Sequence, residues 1–293
     1  MTDTLYRVSI HTVPLLAEVL EEALPGAGHA VSLWTDAAGT LARIDLFAPD
    51  HEAADRAAED LKRLISDLCR GEPWRISVDA IPREDWAESW KRFFHPERVS
   101  DRIIVRPSWE TMPTRPDDRE VVIDAGMCFG TGQHGTTRAC IRFLDTLAAE
   151  GRSGPMLDAG CGSGILSIAA VKLGFGPVTA IDFDPSAVEQ AGENCRRNSV
   201  AEAVTLGTAD VLRYAPAAPF GLVAANIEAP ILLAATDRFA DHLCSREPGA
   251  ALLLAGILER QYADIAAAFA GRGFSERQQL TLDGWTSGWW ERR

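Results

Sequence analysis

Basic charge is what this chain has least of: 29 lysines and arginines face 42 aspartates and glutamates, a net charge of −13 over 293 residues. A surface that follows phosphates needs concentrated positive charge, so direct nucleic-acid binding is not expected. A basic protein would match the charge better as a partner, although acidity also serves solubility alone. Long apolar runs are missing too. None approaches the roughly 20 residues of a membrane helix, and the N-terminal region carries acids where an export signal has a basic start. The expectation is a cytoplasmic monomer without membrane contact. Cysteines occur at Cys69, Cys128, Cys140, Cys161, Cys195 and Cys244 with no Cys-x-x-Cys pair, and the six histidines have no paired ligand spacing. Reduced, buried thiols and no metal site are therefore expected.

What is present is ordinary globular material: 46% apolar and 24% charged residues, in a length that suggests two domains at about 150 residues each. Residues 1–80 alternate between two periods. Tyr6, Val8 and Ile10 share a strand face, followed by a helix with Leu16, Val19, Leu20 and Leu24 between Pro14 and Gly26. Val31 and Leu33, then Ala42, Ile44 and Leu46, mark two more strands. A second helix carries Ala57, Leu61, Leu64, Ile65 and Leu68, and Trp74, Ile76, Val78 and Ala80 complete a last strand. The order strand, helix, strand, strand, helix, strand suits a ferredoxin-like α+β domain. It has no glycine-rich loop and reads as a recognition module or a scaffold.

Residues 81–120 read as a helical and extended linker. Trp86, Trp90, Phe93 and Phe94 fall three or four apart, and Pro107, Pro113 and Pro116 favour extended chain. From 121 to 293 the pattern becomes strand, helix, strand, as in a doubly wound α/β sheet. Strands are expected at 156–159, 178–181, 204–206, 222–225 and 251–255, with helices at 165–173 and 185–198. Residues 278–282 and 285–290 around Asp283-Gly284 predict a closing hairpin.

The chemistry concentrates in four places. Asp158-Ala159-Gly160-Cys161-Gly162-Ser163-Gly164 lies between an apolar strand and a helix, where glycines permit a tight turn and close ligand approach. A dinucleotide fingerprint needs glycine or alanine where Ile165 stands, which makes a nicotinamide oxidoreductase the least favoured reading. Asp158 suits a ligand bearing an ammonium group, such as S-adenosylmethionine, better than a pyrophosphate. Asp182 ends the second strand and can accept two ribose hydroxyls, while Asp184 and Pro185 start the next helix and Asp210 either faces the adenine or caps its strand. In Phe129-Gly130-Thr131-Gly132-Gln133-His134-Gly135-Thr136-Thr137, Thr136 or Thr137 would cap a helix and place a hydroxyl beside the ligand. Asn226, at the carboxyl end of the fourth strand in Asn226-Ile227-Glu228-Ala229, can orient an acceptor amine and is the candidate catalytic residue.

Together these segments resemble the PrmA family, bacterial methyltransferases of large-subunit ribosomal protein L11. The resemblance spans nearly the whole chain and rests on Trp86-Ala87-Glu88-Ser89-Trp90, the Gly-Thr-Gly-Gln-His-Gly-Thr-Thr stretch and Asp158-Ala159-Gly160-Cys161-Gly162-Ser163-Gly164. It implies a seven-stranded class I methyltransferase sheet behind the small domain, with Thr137, Gly160, Asp182 and Asn226 on S-adenosylmethionine, to which the glycine motif itself adds Asp158 as a cofactor-binding candidate. It also implies that the first domain grips the ribosomal protein, whose lysine and N-terminal amines are trimethylated. Two departures stand out. The family usually reads Asn-Ile-Leu-Ala where this chain has Glu228, which either changes acceptor preference or faces solvent; and Trp289-Trp290 makes the tail unusually aromatic. Methyl transfer to another protein, a small molecule or nucleic acid, and a non-catalytic nucleotide-binding module, remain the alternatives.

Overall fold

The computed structural model describes residues 4–13, 31–35, 42–68, 73–82, 95–124 and 134–293. The chain divides between Phe93 and Phe94 into two compact units. The helix expected over 14–26 and the aromatic segment 86–94 lie outside the described residues.

In the first unit, β1 (Thr4–Thr12), β2 (Val31–Thr35), β3 (Ala42–Ala48) and β4 (Arg75–Pro82) form an antiparallel sheet in the order β2-β3-β1-β4. Helix α1 (His51–Leu68) follows β3, started by Asp50, whose Oδ1 accepts the Ala53 N–H at 2.7 Å. Val8, Ile10, Ile44 and Leu46 pack with Ala54, Ala58, Leu61 and Ile65 of α1 in one core. The inward stripe of α1 thus starts earlier than the apolar periodicity indicates, because alanines form its first turns. Ser9 donates to Asp45 at 2.6 Å, a buried polar pair that satisfies both groups. The antiparallel order β2-β3-β1-β4 is the strand order expected of a ferredoxin-like domain.

The second unit opens with a small sheet, β5 (Glu97–Arg98), β6 (Ile103–Arg106) and β7 (Arg119–Val122), antiparallel then parallel. This stretch, expected as linker, carries its own core residues. Val99, Ile103, Val105, Val121 and Ile123 pack with helix α2 (Gly135–Ala149). Arg98 grips Asp118 through two bonds of 2.6 Å, Arg102 reaches Asp145 on α2 at 2.6 Å, and Asn198 pairs both backbone groups of Val122 at 2.8 and 2.7 Å.

Seven strands form the main sheet: β8 (Gly154–Ala159), β9 (Phe175–Asp182), β10 (Val204–Thr208), β11 (Leu222–Asn226), β12 (Ala251–Leu258), β13 (Phe274–Leu282) and β14 (Trp285–Arg292). Their order is β10-β9-β8-β11-β12-β14-β13, parallel except that β14 runs against both of its neighbours. Helices α2, α3 (Ile165–Lys172) and α4 (Pro185–Arg197) pack into one core, and α5 (Ala229–Ala234) and α6 (Tyr262–Ala270) into the other. Burial on both faces explains why these strands read as continuous apolar runs. The closing hairpin turns at Asp283 (φ 53°) and Gly284 (φ 77°), left-handed at both central positions as a two-residue turn requires. Trp289 and Trp290 are buried in different cores, one on each face of β14. The aromatic tail is therefore structural.

No helix among the described residues is long and apolar enough to cross a membrane. Cys140, Cys161, Cys195 and Cys244 are free and buried, and burial pushes Cys195 up to about 11 and Cys244 up to about 12, so these thiols are inert at neutral pH. Cys69 and Cys128 lie outside the described residues.

Candidate active site

Strand order reverses between β8 and β11, and at such a switch point the loops leaving neighbouring strands diverge and open a crevice. A cavity of about 750 Å³ occupies that crevice, lined by Thr137, Gly160, Asp182 and Asn226 among others. Four residues from separate segments of sequence thus line one cavity.

The loop after β8 is held from below. Gly160 and Cys161 donate to the Ile181 carbonyl at 2.8 and 3.0 Å, and Gly162 donates to Asp182 Oδ2 at 2.9 Å. Gly160 has φ +80°, and a Cβ there would lie 2.3 Å from Ile227 Cγ2. Gly256, at φ +83° in β12, closes on the same residue from its other side; a Cβ would lie 2.3 Å from the Ile227 carbonyl oxygen. Ile227 is therefore clamped between two positions that only glycine fills. Gly256 was not recognised in the sequence; its signal is a lone glycine within the apolar run Leu254-Ala255-Gly256-Ile257-Leu258.

Asp182 is nearly buried at the end of β9. Its Oδ1 accepts the Asp184 N–H at 3.0 Å while Oδ2 holds Gly162, which leaves lone pairs directed at the cavity. Asp184 caps α4 through Ser186 N–H at 2.9 Å, with Pro185 in the first turn as expected.

Asp158 is not among the lining residues. It is buried, and its Oδ2 accepts both the backbone N–H (3.0 Å) and the hydroxyl (2.6 Å) of Ser167 on α3. Burial raises its carboxyl to about 6, the Ser167 bonds opposing this and the charge of Asp182 adding to it. It braces the glycine loop against α3 from beneath. The sequence places an acid ahead of the glycines without saying which side of the strand it takes.

Thr136 and Thr137 are both buried in the first turn of α2, and His134 takes the cap position expected of them: its side chain accepts from the Thr136 N–H at 3.4 Å. Burial lowers the His134 pKa, so the imidazole is neutral and able to accept. Thr137 Oγ1 accepts from Asn226 Nδ2 at 3.3 Å. Residues 129–133 of the same stretch lie outside the described residues.

The rest of the lining was largely invisible to pattern reading. Ile165, in place of the third fingerprint glycine, contributes apolar wall, with Phe183, Leu212 and Ile231 nearby. Phe183 is 78% exposed, an unusual setting for a large aromatic at the edge of a cavity. Asp210 lines the cavity while its Oδ1 accepts the Leu212 N–H at 2.9 Å. The charged lining is acidic throughout: Asp182, Asp210 and Glu228, with no lysine, arginine or histidine among the described residues.

A parallel sheet with an inserted antiparallel strand, a glycine loop after its first strand, an acid closing the second and an acid-lined cavity at the switch point define a class I S-adenosylmethionine-dependent methyltransferase. Residues 19–292 match the family model for ribosomal protein L11 methyltransferase (PrmA). The chain belongs to that family. It is 32% identical over 266 residues to the ribosomal protein L11 methyltransferase of Exiguobacterium sp., covering 91% of this chain and 80% of that relative. The enzyme of the same name from Syntrophotalea carbinolica is 38% identical over 248 residues, 82% of this chain and 78% of the relative. Among solved structures, the ribosomal protein L11 methylase of Lactobacillus delbrueckii subsp. bulgaricus is similar with a TM-score of 0.60 at 29% identity, covering 68% of this chain and all of that one.

Proposed function

We propose that this protein transfers methyl groups from S-adenosylmethionine to lysine and N-terminal amino groups of ribosomal protein L11 by in-line displacement. The observation that carries the reading is the acid-lined cavity with the Asn226 amide at its wall. S-adenosylmethionine supplies an activated methyl on a sulfonium, and both its sulfonium and its ammonium are cations, which the carboxylates of Asp182 and Asp210 favour.

The chain's own residues align the reactants. Asp182 offers lone pairs to the ribose hydroxyls, and Gly160 keeps the loop backbone close to the ligand. Because Asn226 Nδ2 is committed to Thr137, its Oδ1 is left to accept an amine N–H and turn the nitrogen lone pair toward the methyl carbon. A lysine amine has a reference pKa near 10.4 and an N-terminal amine near 8, so a proton must leave to solvent before attack. The first unit, with no glycine loop of its own, serves as the recognition module for the ribosomal protein, and the enzyme works as a cytoplasmic monomer.

Incubation of the protein with S-adenosylmethionine and purified L11, followed by intact-mass spectrometry, tests this directly. L11 should gain mass in methyl increments. Tight binding of the cofactor without any gain would favour a non-catalytic module, and gain on a different acceptor would reassign the substrate.

A further inference from the structure

Two residues beyond Asn226, Glu228 occupies the cap position of α5, yet its side chain does not cap the helix. Glu228 is exposed and lines the cavity, and its carboxylate makes no hydrogen bond or ion pair with any described residue. The other two carboxylates of the lining are engaged, Asp182 by Gly162 and Asp184 and Asp210 by Leu212. One helical turn on, Ile231 lines the same cavity at 36% exposed and donates its N–H to the Glu228 carbonyl at 3.0 Å. A free carboxylate therefore stands beside an exposed apolar side chain next to the acceptor-orienting amide. That pair matches a group with a cationic head on an apolar stem.

We propose that Glu228 and Ile231 form the acceptor lip of the site and select lysine side chains, the carboxylate taking the ammonium and Ile231 the methylene stem. The assignment rests on the methyltransferase reading above. It separates capture from transfer. A carboxylate holds the amine in its protonated form, so Glu228 strengthens binding and gives no help to the chemical step. The ammonium then releases one proton to water, and the freed lone pair forms the new N–C bond as the C–S electron pair returns to sulfur. The methylated nitrogen carries the positive charge away.

The test uses the full-length enzyme with two forms of L11. One is acetylated at its N terminus, leaving only lysine acceptors; the other has the lysines methylated by the wild-type enzyme replaced by arginine, leaving only the terminal amine. Glu228→Gln should raise KM for the lysine-only form about fivefold, the scale of an exposed ion pair, with kcat unchanged within about twofold. Glu228→Lys should raise it further. Ile231→Ala should weaken the lysine-only form more than the terminal-amine form, which presents no stem. Affinity for S-adenosylhomocysteine by calorimetry should stay constant throughout, which also shows that the variants fold. Transfer by the wild type with an unchanged KM in Glu228→Gln overturns this assignment alone; absence of transfer by a wild type that still binds cofactor removes the parent reading with it.

Discussion

Replacing Asp182 by alanine removes an acceptor that serves the protein and its ligand at once. In the structure its two oxygens hold the N–H groups of Gly162 and Asp184 at 2.9 and 3.0 Å, and their remaining lone pairs face the cavity. Hydrogen bonds to a charged group are worth about 1.5–3 kcal/mol each. Losing two to the ribose hydroxyls, at the lower end of that range because water partly substitutes, costs about 3 kcal/mol, or roughly a hundredfold in Kd. The backbone donors also lose their partner. At about 1–2 kcal/mol for both, a unit of this size should melt roughly 3–6 °C lower. Calorimetric titration with S-adenosylhomocysteine reads the first effect and differential scanning calorimetry the second. A variant that melts lower yet binds within about threefold of wild type would refute the ribose role and leave Asp182 as a loop brace only.

Three further substitutions probe the scaffold under the site. Asp158 has a native pKa of about 6 against an ordinary 3.8, so the folded state binds its proton more tightly than the unfolded chain. That contribution is full below pH 3.8 and is lost as pH rises through 6; the stability of wild type relative to Asp158→Asn should fall by about 3 kcal/mol across this window, and a constant difference in urea midpoints between pH 4 and 7 would sink the argument. Gly160→Ala should destabilise by roughly 1–2 kcal/mol from its left-handed backbone alone, with more from the contact on Ile227. Adding Ile227→Ala should recover part of that loss, since neighbours that clash are not additive; equal costs in either background would remove the clamp from the account.

Much of the fold was legible because the main sheet is buried on both faces. Strands β9 and β11 read as largely apolar runs, each ending in a polar residue, and Asp182 and Asn226 stand out for that reason. Asp283-Gly284 announced the hairpin through the left-handed backbone both positions need. What stayed hidden depends on tertiary partners. Strands β5 to β7 are two to four residues long, too short for a period, and the arginines in and beside them read as linker charge, whereas Arg98, Arg102 and Arg106 pair with Asp118, Asp145 and Glu120. The cap of α2 was assigned to threonines by propensity, whereas both turn inward and His134 takes the role. Trp289 and Trp290 were unexplained locally because the layers on either side of β14 come from distant sequence.

The interleaving of the last strands has a consequence for how the chain matures. Among the described residues β13 has β14 as its sole sheet neighbour, and β14 alone joins it to β12. During synthesis β13 emerges before anything exists for it to pair with, and the flank of β12 stays open for just as long. Until Trp289 and Trp290 arrive, the flank of β12 lacks its strand and each of the two cores lacks its indole. Completion of the catalytic unit is in this sense a single late event, sealed by one ribbon sliding between two that wait for it.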